Sequence, residues 1–207
     1  MGGIVPPALT WLVRHGQSTS NAGLPVTSFG DVPLTALGHQ QAREVANRVQ
    51  HQPDMLIVSP FLRARATAEP ICARWPLARC ETWPIHELTY LSPARCHGST
   101  VETRRPVVEA YWLLCDPDYT DGPDAESFRS FMTRLLEFHN RLNSADGDFV
   151  VVVGHGQFFR AYLLGLREGF TVSSHWMERY RKEETARPMA NGEIVELTGE
   201  ALKRCQD

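Results

Sequence analysis

The stretch "LVRHGQSTSN", Leu12 to Asn21, closes an apolar run on an arginine, a histidine and a glycine. Leu9–Val13 reads as a buried strand, so Arg14, His15 and Gly16 fall where that strand meets its loop. The pattern recurs in "VVVVGHGQFFRAYL", Val150 to Leu163, where a valine-rich strand (Phe149–Val153) ends on His155 between Gly154 and Gly156. A third stretch, "IVSPFLRARATAE" from Ile57 to Glu69, leads the strand Met55–Val58 into a helix. There Ser59 reads as N-cap, Pro60 as the first helical residue, and Arg63 lies about one turn further on. Near-continuous apolar strands running into helices are the pattern of parallel strands covered on both faces. The expected fold is therefore an α/β three-layer sandwich, with a mostly parallel central sheet and helices on both sides.

Weaker signals complete the outline. Cys80–Ile85 reads as a further strand and Gly192–Leu197 as an edge strand. Thr35–Gln50 carries Leu37, Ala42, Val45, Ala46 and Val49 on one helical face, and Asp124–Leu142 has the same period. Gln157–Leu166 reads as the helix that follows the valine-rich strand. Pro70 is expected to end or kink the helix that contains it. Leu88–Pro123 is weakly periodic and rich in turn formers, so residues 88–123 read as an insertion or lid on one domain spanning 1–207.

The chain has 207 residues, 43% hydrophobic and 22% charged, which is ordinary globular usage and enough for a core. A net charge of −3 argues against a general nucleic-acid partner. Cys72, Cys80, Cys96, Cys115 and Cys205 are odd in number and form no CxxC pair, so neither a disulfide framework nor a structural zinc is expected, and a reducing, cytoplasmic setting fits. The opening "MGGIVPPALT" lacks the charged and apolar regions of a signal peptide, and Pro6 argues against myristoylation of Gly2. No run approaches the roughly 20 apolar residues that a membrane helix needs, so no membrane partner is expected.

Taken singly, each candidate has a bland reading: a histidine near a strand end, an arginine on a solvated helix. Together they gain meaning. In open α/β sheets, ligands bind outside the carboxyl ends of strands where strand order reverses. His15 and His155 at two such ends can face one site, and Gly16 and Gly156 allow a ligand close to the backbone. The helix after His155 aims free N–H groups at an anion. Arg14 and Arg63 supply guanidinium groups that match phosphate oxygens and stay charged.

These stretches resemble the histidine phosphatase superfamily, the phosphoglycerate mutase-like proteins. "RHGQSTSN", "DVPLTALGHQQA" (Asp31–Ala42), "SPFLRARATA" and "VVVVGHGQ" match its motifs in order, and "DAESF" (Asp124–Phe128) is similar to its GES-type helix start. The resemblance implies that His15 attacks phosphorus and forms a phosphohistidine, with Arg14, Arg63 and His155 around the transferring phosphoryl group. Gly16, Gln17, Asn21, Gly156 and Gln157 would line the phosphate and substrate site. No metal or cofactor is implied.

The family also places a glutamate for proton transfer, and "PIHELTYL" offers Glu87, although the usual glycine- and tryptophan-rich continuation is missing; Glu81 and Glu102 are the fallbacks. In the insertion, Tyr90, Arg95, His97, Arg104 and Arg105 are candidates to hold a second anionic group. The implied function is a metal-independent phosphomonoesterase acting on a small phosphorylated metabolite or a phosphoprotein. Gln157 and the short insertion weigh for hydrolysis over the alternative, a phosphoglycerate mutase-like phosphotransferase. A non-catalytic phospho-ligand binding protein and a metal hydrolase built on His15, His97 and His155 are the other readings.

Overall fold

The computed structural model describes residues 6–203, which leaves Gly2 and Cys205 outside. Five strands form one sheet: β1 (Leu9–Arg14), β2 (Met55–Val58), β3 (Arg79–Thr82), β4 (Phe149–Gly154) and β5 (Ile194–Thr198). The helices are α1 (Ala36–Arg48), α2 (Leu62–Arg74), α3 (Pro93–Cys96), α4 (Val101–Leu114), α5 (Phe128–Asn143), α6 (Gly156–Glu168), α7 (Ser174–Ala186) and α8 (Gly199–Lys203). The strand order is β3-β2-β4-β1-β5; only β5 runs antiparallel, on the edge beside β1.

Successive strand residues point to opposite faces, and the chain uses both. Leu12, Ile57, Val150 and Val152 pack with Phe131 and Leu135 of α5 and with Phe158 and Tyr162 of α6. Val13, Leu56, Val58, Val151 and Val153 pack with Val45 of α1, with Val49 at its C-cap and with Ala64 and Ile71 of α2. That alternation makes the three layers, and it accounts for strands that are apolar at every position.

Several boundaries differ from the sequence reading. α2 starts at Leu62 with Phe61 at its N-cap, two residues beyond the expected Ser59 cap. The Ser59 hydroxyl instead lies 2.8 Å from His155 Nε2. Pro70 does not end α2, which runs to Arg74. Its neighbours Ala68 and Ile71 are fully buried against the sheet, and that packing offsets the roughly 3 kcal/mol a mid-helix proline costs. α5 begins at Phe128 rather than Asp124, because Asp124 adopts a left-handed φ of 61° and Ser127 caps the helix through the Ser130 N–H. Leu37, expected on the buried face of α1, is 47% exposed. β3 is shorter than Cys80–Ile85 and shifted by one residue, although Trp83 and Ile85 beyond it remain core. The 88–123 segment is more ordered than its composition implies, with α4 closed by a capping box between Thr100 and Thr103. Cys72, Cys80, Cys96 and Cys115 are free thiols.

Candidate functional site

Register brings the two histidines together. Arg14 of β1 pairs with Gly154 of β4, so His15 and His155 leave adjacent strands at the same level. The His15 N–H continues the ladder onto the Gly154 carbonyl at 3.0 Å, and the two imidazole centroids lie 5.1 Å apart. The chain then turns at Gly16, against the backbone of α1: a Cβ there would lie 2.4 Å from the Gly38 carbonyl oxygen. The Gly16 N–H donates to Thr67 Oγ1 of α2 at 3.0 Å. On the other side, Asn191 Nδ2 donates to the His15 carbonyl at 3.1 Å.

These contacts settle the protonation of His15. Its Nδ1 lies 2.7 Å from the Gly16 carbonyl oxygen, which can only accept, so Nδ1 carries the proton and Nε2 keeps a lone pair. Arg63 Nε donates to that lone pair at 3.1 Å. Burial, and then the Arg63 charge, hold the imidazole pKa well below 6.5. His15 is therefore neutral at pH 7, with its lone-pair nitrogen turned to the cationic side of the site.

Arg63 is itself fixed. Its Nη1 donates to the Phe29 carbonyl at 2.7 Å, and its guanidinium sits 4.9 Å from the centroid of the Phe61 ring. Burial lowers its pKa to about 10, so it remains charged at neutral pH. His155 is fully buried, and its pKa is held far below 6.5 by burial and by Arg63. While Nε2 meets Ser59, its Nδ1 has no hydrogen-bond partner among the described residues and lies 3.9 Å from Glu87 Oε2.

Glu87 Oε1 accepts the Gln157 N–H of the first turn of α6 at 2.9 Å. Dense packing around its carboxyl raises the pKa against the opposing pull of Arg63 and Arg14. Donor atoms of His15, Glu87 and His155 all lie within 4.8 Å of one another. A metal could be held at that spacing, but Arg63 Nε occupies the lone pair of His15 Nε2, and the surrounding guanidinium charge suits an anion better.

The other expected residues divide. Arg14 Nη1 donates to the Met189 carbonyl. Its stem crosses Gly156, where a Cβ would come 3.2 Å from Arg14 Cδ and Nε and push that stem by a few tenths of an ångström. Arg14 Nε is buried without a partner among the described residues. Gln157 reaches the cavity wall, and its Oε1 is likewise buried without a partner. Asn21 reaches the wall, while its Oδ1 accepts from Ser18 and from Asn191 and so braces the loop. Gln17 does not join the wall; its Oε1 accepts from Thr35 Oγ1 at the start of α1.

Both fallback acids stand elsewhere. Glu81 is bound to Trp83 Nε1, Arg79 and Arg141, and Glu102 is exposed in the first turn of α4. Of the insertion candidates, Tyr90 and Arg104 line the cavity. Arg95 is paired with Asp121, His97 Nδ1 lies 3.1 Å from the Thr27 carbonyl, and Arg105 is exposed. His97 therefore does not join a three-histidine metal set. Sequence reading missed Ser59 as the partner of His155, Thr67 and Asn191 as braces of the His15 loop, and the Phe29 and Phe61 walls. Ser59, Phe61 and Thr67 lie inside the matched "SPFLRARATA" stretch, Ser59 and Thr67 at its fixed positions, whereas Phe29 and Asn191 carried no signal.

An imidazole pair, two guanidinium groups and a carboxyl at the carboxyl ends of parallel strands define a phosphate-handling α/β protein. Residues 10–196 match the histidine phosphatase superfamily (branch 1), and the chain belongs to that family. It is 45% identical over 206 residues to a probable phosphoglycerate mutase of Photorhabdus laumondii, covering 92% of each chain. It is 29% identical over 162 residues to an uncharacterized phosphatase of Bacillus subtilis, covering 76% of this chain and 77% of that one. In fold it is similar to the crystal structure of a phosphoserine phosphatase from Entamoeba histolytica, with a TM-score of 0.67 at 23% identity, covering 91% of this chain and 89% of that one. Among the described residues no helix is long and apolar enough to cross a membrane.

Proposed function

We propose that the protein is a phosphomonoesterase that works through a phosphohistidine on His15, with residues 88–123 covering the site of one catalytic unit and a small phosphorylated molecule as substrate. The observation that carries this reading is the neutral His15, its Nε2 lone pair facing Arg63 and flanked by His155 and Glu87. A phosphoryl dianion is a better acceptor than an imidazole nitrogen, so its arrival draws the Arg63 guanidinium onto phosphoryl oxygens and frees the lone pair. Arg14 Nε and His155 Nδ1, both without a partner among the described residues, supply further hydrogen bonds to those oxygens.

The N–P bond forms as the ester P–O bond breaks, and the leaving oxygen takes the Glu87 proton. The Glu87 carboxylate then removes a proton from water, whose oxygen attacks phosphorus and releases His15 and inorganic phosphate. The raised pKa of Glu87 suits the first of these roles. A second reading, transfer between two positions of one substrate, draws on the relative named a probable phosphoglycerate mutase. It predicts isomerisation with little phosphate release.

The test is hydrolysis of p-nitrophenyl phosphate by the wild type and by His15→Ala, each with and without EDTA. Turnover lost only in the variant supports the reading; full activity in His15→Ala refutes it, and loss in EDTA revives the metal reading.

A further inference from the structure

The cavity that opens beside His15 measures about 180 Å³. An apolar cavity of about 150 Å³ is enough to hold a benzene ring, so there is room for one ring-sized body next to the phosphoryl site. Ser18, Ser20, Asn21, Thr89 and Gln157 give the wall polar groups, and the rest of it away from that site is largely hydrocarbon. Val26, Val32, Leu88 and Leu91 are each buried to 6% exposure or less, and Phe29 and Phe61 close the near side. Two of the charged wall residues, Arg63 and Glu87, belong to the phosphoryl end. The remaining one, Arg104, is already tied through Nη1 to the Ser99 carbonyl and hydroxyl, at 3.0 and 2.9 Å. Arg95, His97 and Arg105, the other cations of the covering segment, do not reach the wall. A carboxylate or second phosphate placed there would meet only the remaining Arg104 N–H groups and neutral donors in return for its lost water, whereas an apolar body gains by burial.

We infer that this site takes a phosphomonoester of an alcohol with a compact apolar body, a single aromatic ring or a branched hydrocarbon, in preference to a polyanionic ester such as a phosphoglycerate. The inference rests on the phosphatase reading and deepens it by naming the substrate class. Tyr90 and Val108, which also line the cavity, would border this body.

The test compares kcat/KM for benzyl phosphate, glycerol 1-phosphate and 3-phosphoglycerate. All three are esters of alcohols, so they differ in body rather than in leaving-group type. A pocket fitted to one apolar group discriminates by about tenfold or more, so benzyl phosphate should lead both competitors by at least that factor. Val108→Asp should collapse the ratio of benzyl to glycerol ester, mainly through KM, and the near-isosteric Val108→Thr should lower it less. Equal rates across the panel, or preference for 3-phosphoglycerate, overturn the apolar-body assignment while leaving the phosphatase reading intact. Hydrolysis of none of the three esters or of p-nitrophenyl phosphate, with no phosphohistidine trapped, overturns both.

Discussion

Gly38→Ala offers a test in which helix propensity and tertiary packing predict opposite signs. Gly38 lies in the first turn of α1, and its N–H is bound by the Thr35 cap at 3.1 Å. By propensity alone, alanine should stabilise that helix by about 1 kcal/mol. The structure forbids the gain. A Cβ on Gly38 would lie 2.1 Å from the Gln17 carbonyl oxygen, more than 1 Å short of the 3.4 Å at which ordinary contact begins. Gly16 meets the Gly38 carbonyl in the same way, so two backbones touch face to face and no flexible side chain can yield.

Overpacking of this kind costs about 1–3 kcal/mol. Against the propensity gain, the net expectation is a loss of up to about 2 kcal/mol. The strain falls on the loop that carries His15, and a misplacement of about 1 Å costs on the order of 100-fold in rate. Urea unfolding and p-nitrophenyl phosphate kinetics on the same preparation measure both effects. Leu37→Ala, one residue away at 47% exposure, is the control and should shift stability by no more than about 0.5 kcal/mol. A Gly38→Ala protein as stable and as active as the wild type would refute the argument that this contact sets the position of His15.

Two further outcomes are expected. Glu87→Gln should lower kcat/KM for benzyl phosphate by about 10²–10⁴-fold, yet lower kcat/KM for p-nitrophenyl phosphate much less, since its phenolate leaves without a proton; kcat on either ester falls where the shared attack of water limits turnover. It should also abolish the alkaline fall in kcat/KM caused by ionisation of Glu87; equal losses on both esters would argue against its role as acid. Stability should decline as pH drops below 6.5, because the unfolded chain then takes up protons that buried, neutral His15 and His155 refuse. Two such groups give a slope of about 2.7 kcal/mol per pH unit once well below 6.5. Glu87, whose raised pKa acts with the opposite sign towards acid, offsets part of this. A urea midpoint unchanged from pH 7.5 to 5 would contradict the burial of both imidazoles.

Much of the molecule was legible because its key elements are local. Apolar runs at Leu9–Val13, Met55–Val58 and Phe149–Val153 became the three central strands with ends shifted by one residue at most. α4 and α7 escaped notice, since α4 buries Tyr111 alone and α7 only Trp176, Met177 and Tyr180, too few for a clear helical period; their contacts, such as Trp112 on Tyr180 and Phe128 on Trp176, come from far along the chain. Ser59 shows how local and tertiary rules compete. Ser-Pro is a good helix opening, but the hydroxyl is held by His155, 96 residues away, and α2 begins three residues later without a side-chain cap.

By itself, the sequence determined that strands end on Arg14, His15 and His155 and that Arg63 follows a strand by one turn, because strand and helix periods are properties of neighbouring residues. Only the tertiary structure decided that His15 is neutral with its proton on Nδ1, because that depends on burial and on Arg63 arriving from another element. It also decided which cations face the substrate. Arg95, Arg104 and Arg105 are alike as letters, but Asp121 holds the first, solvent surrounds the last, and Arg104 alone of the three reaches the cavity, bound there to Ser99. Charge in a chain is fixed by residue type; whether it meets a ligand depends on which partners the fold has already brought to it.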